Sequence, residues 1–160
     1  MQVYHALFIC AASVSMTTLA LVLILGVVHT QAVQRYAGTN TVGPIADWAK
    51  PVAGFYLIYT ALAAAMYAVF RFDAPLGFAA FLEVVFLTVS IDAIRLENRI
   101  RDMCRWMPIK LVEAPPREFS KIHVCVRVGV NTTIALHTIG FLLYSASFGI
   151  TLFALCGIYL

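Results

Sequence analysis

The chain has 160 residues, of which 62% are hydrophobic and 12% are charged, and its mean hydropathy is +0.89. A soluble domain carries about 25% charged residues, so this composition excludes an ordinary water-soluble protein and predicts an integral membrane protein. The net charge of +3 comes from basic residues that flank apolar segments, which is a topology signal. It does not predict nucleic-acid binding.

Four apolar segments are long enough to cross a bilayer, which takes about 20 helical residues. They cover approximately residues 4–28, 51–70, 76–94 and 128–159. We therefore predict an all-α membrane protein with four transmembrane helices in a single domain, residues 1–160. The first segment has no basic residues before it and is long for a signal peptide, so we expect it to be a mature helix.

The connector after the first segment contains Gly38, Gly43 and Pro44, which predict a break in helix. The second span is then expected to open at Pro51, because proline fits the first turn of a helix. The turn RFDAPLG is short, so the second and third spans are predicted to form an antiparallel hairpin.

The third span is predicted to continue past the membrane as one helix. The stretch IDAIRLENRIRDMCRW has no Gly or Pro before Pro108, so we expect a helix from Pro75 to Trp106, about 45 Å long. Its last third would project into the cytosol, with Glu97 outside the hydrocarbon. Pro115 and Pro116 predict a non-helical return to the fourth span.

Basic residues predict the orientation of the chain. The regions 30–50 and 95–127 carry all the Lys and Arg residues except Arg71. The side that is rich in Lys and Arg is cytoplasmic under the positive-inside rule. Both termini are therefore expected on the lumenal or extracellular side.

Glu83 lies near the centre of the third span, among Phe, Leu, Val and Ala, and no cation lies one helical turn away. A charged carboxylate at that depth costs roughly 2.5 to 3.5 kcal/mol on insertion scales. Three explanations are open at this stage. Glu83 could be protonated, it could pair across helices with Arg71 or His137, or it could face water in a cavity or pore.

The residues that share a helical face with Glu83 favour the pore. Spacings of four and three residues define one seam on the third helix, which comprises Glu83, Leu87, Ser90, Ile94, Glu97 and Arg101. If several copies surround an axis, Glu83 and Glu97 become acidic rings that attract cations, and Glu83 would bind metal ions transiently. Leu87 and Ile94 become apolar collars, with Ser90 between them. The same spacing also suits an ordinary helical core.

The remaining polar residues have simpler interpretations. Asp92 has Arg95 one turn away and is predicted to form a surface ion pair, and Glu97 has Arg101 at i+4. His137 is expected to be a hydrogen-bonded packing residue. The histidines and the four cysteines show no metal-ligand spacing and no disulfide pattern. No cofactor site and no nucleophile–base pair is predicted, so we do not expect an enzyme.

The four-span plan, the lumenal termini and the lone Glu83 of the third span together resemble the WeiTsing-type channels of the plant endoplasmic reticulum. The resemblance implies a pentameric, calcium-permeable channel with a central pore and a role in plant immunity. The same resemblance implies that the protein lies in the endoplasmic-reticulum membrane.

We therefore expect a cyclic homo-oligomer in a lipid bilayer that acts as a cation channel, with calcium among its permeant ions. Its third helix would line the pore through Glu83, Leu87, Ser90, Ile94 and Glu97. Two alternatives are open. One is a tetraspan scaffold or assembly subunit without a pore, in which Glu83 makes a buried pair between helices. The other is a small membrane enzyme of the glutathione-transferase type.

Overall fold

The computed structural model describes residues 2–37, 42–72, 74–111 and 117–157, with side chains for 5–36, 49–72, 74–105 and 117–157. Every regular element in these ranges is an α-helix. The four helices are α1 (Gln2–Ala37), α2 (Val42–Arg71), α3 (Leu76–Leu111) and α4 (Arg117–Leu155). In lipid, a helix satisfies all its backbone hydrogen bonds within one segment, which suits apolar sequences such as these.

All four helices contain a segment that is long and apolar enough to cross a membrane. These segments are His5–Tyr36, Ala49–Arg71, Leu76–Arg105 and Arg117–Leu155. Large apolar side chains are exposed on every helix, including Ile24, Leu57, Phe81 and Leu142. Monomeric soluble proteins rarely expose large apolar patches. The prediction of an all-α protein with four potential membrane spans is therefore confirmed.

Several helix boundaries differ from those predicted. Helix α2 begins at Val42, so Gly43 and Pro44 lie in its first turn and do not break it, since proline is tolerated there. Helix α3 continues to Leu111 and passes through Pro108. Helix α4 begins at Arg117, well before residue 128. Residues 115, 116 and 159 lie outside the described part of the chain.

The helices run alternately up and down, and their packing is uneven. Helix α1 packs most extensively against α4, and α3 also packs closely against α4, whereas α2 packs less extensively against α1 and α3. Gly140 allows the close approach of α4 to α1. A Cβ atom there would lie 3.2 Å from Oγ of Ser15 and 3.5 Å from the carbonyl oxygen of Ala11. Small residues at such contacts are typical of membrane helix pairs.

An aromatic cluster lies in the interior of the bundle. The rings of Phe8 (α1) and Phe86 (α3) meet edge to face, with centroids 4.6 Å apart. The Tyr144 ring of α4 lies 5.0 Å from Phe86 and 5.5 Å from Phe8. All three side chains are fully buried or nearly so. This cluster fixes α1, α3 and α4 relative to one another.

The end of the bundle where α1 ends and α4 begins carries most of the basic residues, and we call it the basic end. The Tyr36 hydroxyl of α1 donates a hydrogen bond of 2.9 Å to Oε2 of Glu118 on α4. The Tyr36 and Phe119 rings also pack edge to face, 5.7 Å apart. These contacts join the two helices at the basic end.

Candidate functional site: a buried polar stripe between the helices

Two facing stripes of side chains form the site. The stripe on α3 contains Glu83, Ser90 and Glu97, which are all fully buried. Helix α4 runs antiparallel to it, and its buried stripe follows spacings of four and three residues: Thr133, His137, Gly140, Tyr144, Ser147 and Thr151. Equal spacing on both helices keeps polar residues opposite polar residues along the contact.

The first part of the site is a hydrogen-bonded chain of four fully buried residues, which we call the Glu97 network. Oε1 of Glu97 lies 3.0 Å from Nδ1 of His137. Nε2 of His137 lies 3.1 Å from the Tyr59 hydroxyl, which in turn lies 2.9 Å from Oγ of Ser90. The network thus joins α3, α4 and α2 through four side chains.

The second part, which we call the Glu83 pair, lies closer to the opposite end of the bundle. The Ser147 hydroxyl donates a hydrogen bond of 2.6 Å to Oε1 of Glu83, and both residues are fully buried. The Thr151 hydroxyl lies near the same carboxyl group. Glu83 therefore pairs with a hydroxyl of α4 and not with either predicted partner, Arg71 or His137.

Between the two parts lie the hydroxyl groups of Ser15 and Tyr144, which are buried beside the aromatic cluster. The Ser15 hydroxyl lies close to the hydroxyls of both Tyr59 and Tyr144. Glu83 and Glu97 are separated along α3 by about 21 Å, at 1.5 Å per residue. That length is roughly two thirds of a hydrocarbon core of about 30 Å. Polar groups are therefore distributed over about 21 Å of the bundle interior.

The Glu97 network admits two directions of hydrogen bonding with the same heavy-atom positions. In one, a protonated Glu97 donates to Nδ1 of His137, Nε2–H donates to Tyr59, and Tyr59 donates to Ser90. In the other, Ser90 donates to Tyr59, Tyr59 donates to Nε2, and Nδ1–H donates to the Glu97 carboxylate. The two arrangements differ by one proton and have opposite polarity. Histidine can adopt both because either ring nitrogen can carry the hydrogen.

Each carboxyl also retains an oxygen atom that the protein does not use. Within the described part of the chain, Oε2 of Glu83 and Oε2 of Glu97 have no hydrogen-bond partner. A carboxylate oxygen accepts a proton or a hydrogen bond readily. Buried polar atoms are usually satisfied in native proteins, and an exception often marks a functional position.

The five residues predicted to line a pore divide into two groups in the protomer. Glu83, Ser90 and Glu97 are fully buried between helices of their own chain, and Leu87 and Ile94 are half-buried. Within one chain, Glu97 lies in the bundle interior, where its carboxyl contacts His137; its vestibule position in an assembled ring stays a prediction. A pore shared by several copies would require these side chains on an outer surface.

Three predictions about polar and charged residues can be compared directly with the structure. Asp92 and Arg95 form the predicted surface ion pair, with Oδ1 and Nη1 3.0 Å apart and both side chains exposed. His137 is buried and lies within hydrogen-bonding distance of Glu97 and Tyr59, as its predicted hydrogen bonding required. Arg101, however, contacts Asp102 at 3.3 Å and not Glu97.

Sequence reasoning missed Tyr59, Ser147 and Ser15 as members of the site. A polar stripe at spacings of four and three was readable on α4, as it was on α3. Tyr59 carries no such signal, because the second span contains other tyrosines, Tyr56 and Tyr67, in similar surroundings. Those two are exposed, whereas Tyr59 is fully buried.

The described residues contain no group of three or more His, Cys, Asp or Glu side chains that could hold a metal ion. Comparison with known proteins adds no assignment: no protein-family model, curated protein or solved structure matches this chain. The site is therefore interpreted from its own geometry, and the resemblance to WeiTsing-type channels stays a prediction.

Proposed function

We propose that the protein is a membrane-embedded cation conductor whose permeant cation is the proton. Protons move along the buried stripe between α3 and α4, from Glu97 at one end to Glu83 at the other. The pathway lies inside each protomer. In this proposal helix α3 lines a pathway within one protomer, whereas the sequence predicted that it lines a pore between copies; Glu83, Ser90 and Glu97 supply the polar groups.

The observation that carries this proposal is the Glu97–His137–Tyr59–Ser90 chain of hydrogen bonds, at 3.0, 3.1 and 2.9 Å. A proton transfers along such a chain when each member can both donate and accept, and these four residue types can. Chains of Asp, Glu and His inside membranes are typical of proton relays in pumps and transporters. A purely packing role would be served equally well by apolar residues.

The stretch between Ser90 and Glu83 is the barrier of this pathway. The rings of Phe86 and Tyr144 occupy the level between the two parts of the site, 5.0 Å apart. The hydroxyls of Ser15 and Tyr144 are the polar groups at this level. A proton therefore crosses here only when those hydroxyls complete the connection, which would limit the rate of conduction.

Proton flux into liposomes tests the proposal. The purified protein is reconstituted in phosphatidylcholine vesicles that contain a pH-sensitive dye, and valinomycin with a potassium gradient sets the membrane potential. We expect acidification well above that of protein-free vesicles. Glu97→Gln cannot exchange a proton at its amide and should lower the flux about tenfold or more, which corresponds to ~1.4 kcal/mol in the barrier.

Asp92→Asn is the matched control, because it removes a carboxylate from the same helix but on an exposed face. It should leave the flux unchanged. Equal flux in wild type, Glu97→Gln and Asp92→Asn, with all three proteins folded, would contradict conduction through the buried stripe.

Calcium conduction through a pore between copies, the function implied by the resemblance, is tested in the same vesicles with a calcium-sensitive dye. It requires Glu83 to leave Ser147 and reach a surface that copies share. Assembly into a cyclic homo-oligomer, with five copies as the resemblance implies, is tested by the detergent-corrected mass of the purified protein. Calcium flux that Glu83→Gln abolishes would favour the pore between copies.

A second candidate is the tetraspan scaffold without conduction. It is favoured by the pairing of Glu83 with Ser147 across α3 and α4, since a buried hydrogen bond of this kind also fixes how two membrane helices pack. In that case the protein would show neither proton nor calcium flux. Glu83→Gln and Glu97→Gln would then change its stability alone.

A further inference from the structure

We infer that a cavity at the basic end, between α3 and α4, binds the phosphate group of an anionic lipid. The cavity has a volume of about 450 Å³ and is lined by Arg101, Arg105, Arg127 and Asn131. This volume lies within the usual range for ligand pockets, about 300–1,000 Å³. The inference does not depend on proton conduction.

The four lining residues converge because of helix geometry. Arg101 and Arg105 are four residues apart on α3, and Arg127 and Asn131 are four residues apart on α4, so each pair lies on one face of its helix. The contact of Glu97 with His137 fixes the alignment of the two antiparallel helices. The arginine pair of α3 follows one turn after Glu97, and Asn131 precedes His137, so both pairs meet just beyond the Glu97 network.

The chemistry of the lining fits a phosphate. Guanidinium groups present several N–H donors in a planar fork that matches phosphate oxygens, and an asparagine amide adds two further donors. Among the described residues, the Asp102 carboxylate reduces the positive charge of Arg101, since its Oδ1 lies 3.3 Å from Nε of Arg101. That contact leaves the terminal nitrogens of Arg101 for a ligand.

The position of the cavity favours a lipid phosphate over a dissolved one. The cavity lies at the basic end of two helices that can each cross a membrane, and Lys and Arg residues concentrate where such helices leave the hydrocarbon. Val124 and Val128 are exposed on α4 beside Arg127 and offer apolar surface to an acyl chain. Basic pockets between membrane helices bind anionic headgroups in this way.

Binding is measured by native mass spectrometry of the protein in neutral detergent, titrated with phosphatidic acid or phosphatidylcholine of the same acyl chains. We expect a bound phosphatidic acid that Arg101→Gln/Arg127→Gln weakens about tenfold or more, the loss that one charge-assisted hydrogen bond of typical strength produces. The matched control, Arg99→Gln/Arg117→Gln, removes the same charge from residues outside the cavity and should bind like wild type.

A parallel titration in sodium phosphate distinguishes a lipid phosphate from a dissolved phosphate as the ligand of the cavity. Retention of phosphatidic acid in millimolar phosphate supports the lipid, whereas its displacement assigns the same site to a dissolved phosphate. Asn131→Asp, which adds a negative charge to the cavity, provides a second variant and should also weaken binding. An equal loss of phosphatidic acid binding in both arginine double variants would overturn the inference. So would equal binding of phosphatidic acid and phosphatidylcholine by the wild-type protein.

Discussion

Nδ1 of His137 lies 3.0 Å from Oε1 of Glu97, and both side chains are fully buried. The contact joins α3 to α4. Nε2, the other ring nitrogen of His137, lies near the Tyr59 hydroxyl and so links the contact to α2. An acid and an imidazole in this arrangement can share one proton between them. The contact therefore links the packing of three helices to the protonation of one carboxyl group.

Tyr59→Phe should interrupt the Glu97 network with little loss of stability. The substitution removes the hydroxyl that contacts both His137 and Ser90, while the ring still fills its position. Hydrogen bonds between membrane helices contribute about 0.6 kcal/mol on average, so the free energy of unfolding in an SDS titration should fall by about 0.5–2 kcal/mol. Proton flux should fall about tenfold or more.

Tyr67→Phe is the control for that experiment, because it makes the same change at an exposed position of α2. It should change neither the free energy of unfolding nor the proton flux. A Tyr59→Phe protein with full proton flux would show that protons do not pass through this hydroxyl.

Ser147→Ala should destabilise the bundle, because it removes a donor from the Glu83 carboxyl in a fully buried position. The expected loss is about 1–2 kcal/mol, within the range for an unsatisfied buried group. The measurement is the free energy of unfolding in SDS, compared with Ser145→Ala. The Ser145 hydroxyl donates to the carbonyl of Phe141 in its own helix, so its loss should cost much less. Equal losses at the two positions would argue against a stabilising Glu83 pair.

Gly140→Leu should separate α1 from α4. Even a Cβ atom at this position would lie 3.2 Å from Oγ of Ser15 and 3.4 Å from Cγ1 of Val14. Overpacking of this kind typically costs about 1–3 kcal/mol, and the thermal unfolding temperature in detergent should fall. Gly149→Leu is the control, since no atom lies within 4 Å of a Cβ there. A Gly140→Leu protein as stable as the control would show that the contact between α1 and α4 adapts without cost.

The orientation in the membrane is the fourth prediction. All Lys and Arg residues except Arg71 lie in the regions predicted to be cytoplasmic, so a tag after Leu160 should be lumenal or extracellular. Protease protection of the tag in sealed membrane vesicles measures this directly. Digestion of a C-terminal tag from the cytosolic side would reverse the orientation, and the basic end would then face the lumen.

The four helices could be predicted from the sequence, whereas the contacts between them could not, and both outcomes have physical reasons. Apolar length alone predicts the four helices, and the cost of an unpaired carboxylate in lipid predicts that Glu83 is protonated, has a partner or faces water. Its partner was not predictable, since Ser147 and Thr151 lie on the same stripe of α4 and both carry a hydroxyl group. The rotation of α4 against α3 selects Ser147, and that rotation depends on packing along the whole contact, including the fit of Gly140 against α1.

The uneven packing of the four helices has a mechanical consequence. Helices α1, α3 and α4 are held together by the Phe8–Phe86–Tyr144 cluster, whereas α2 packs less extensively and contributes a single side chain, Tyr59, to the Glu97 network. A sideways shift of α2 by an ångström or two, typical of shear between packed helices, would part the Tyr59 hydroxyl from His137 and leave the other three helices in place. The position of α2 would therefore determine whether the chain of side chains from Glu97 to Ser90 is continuous.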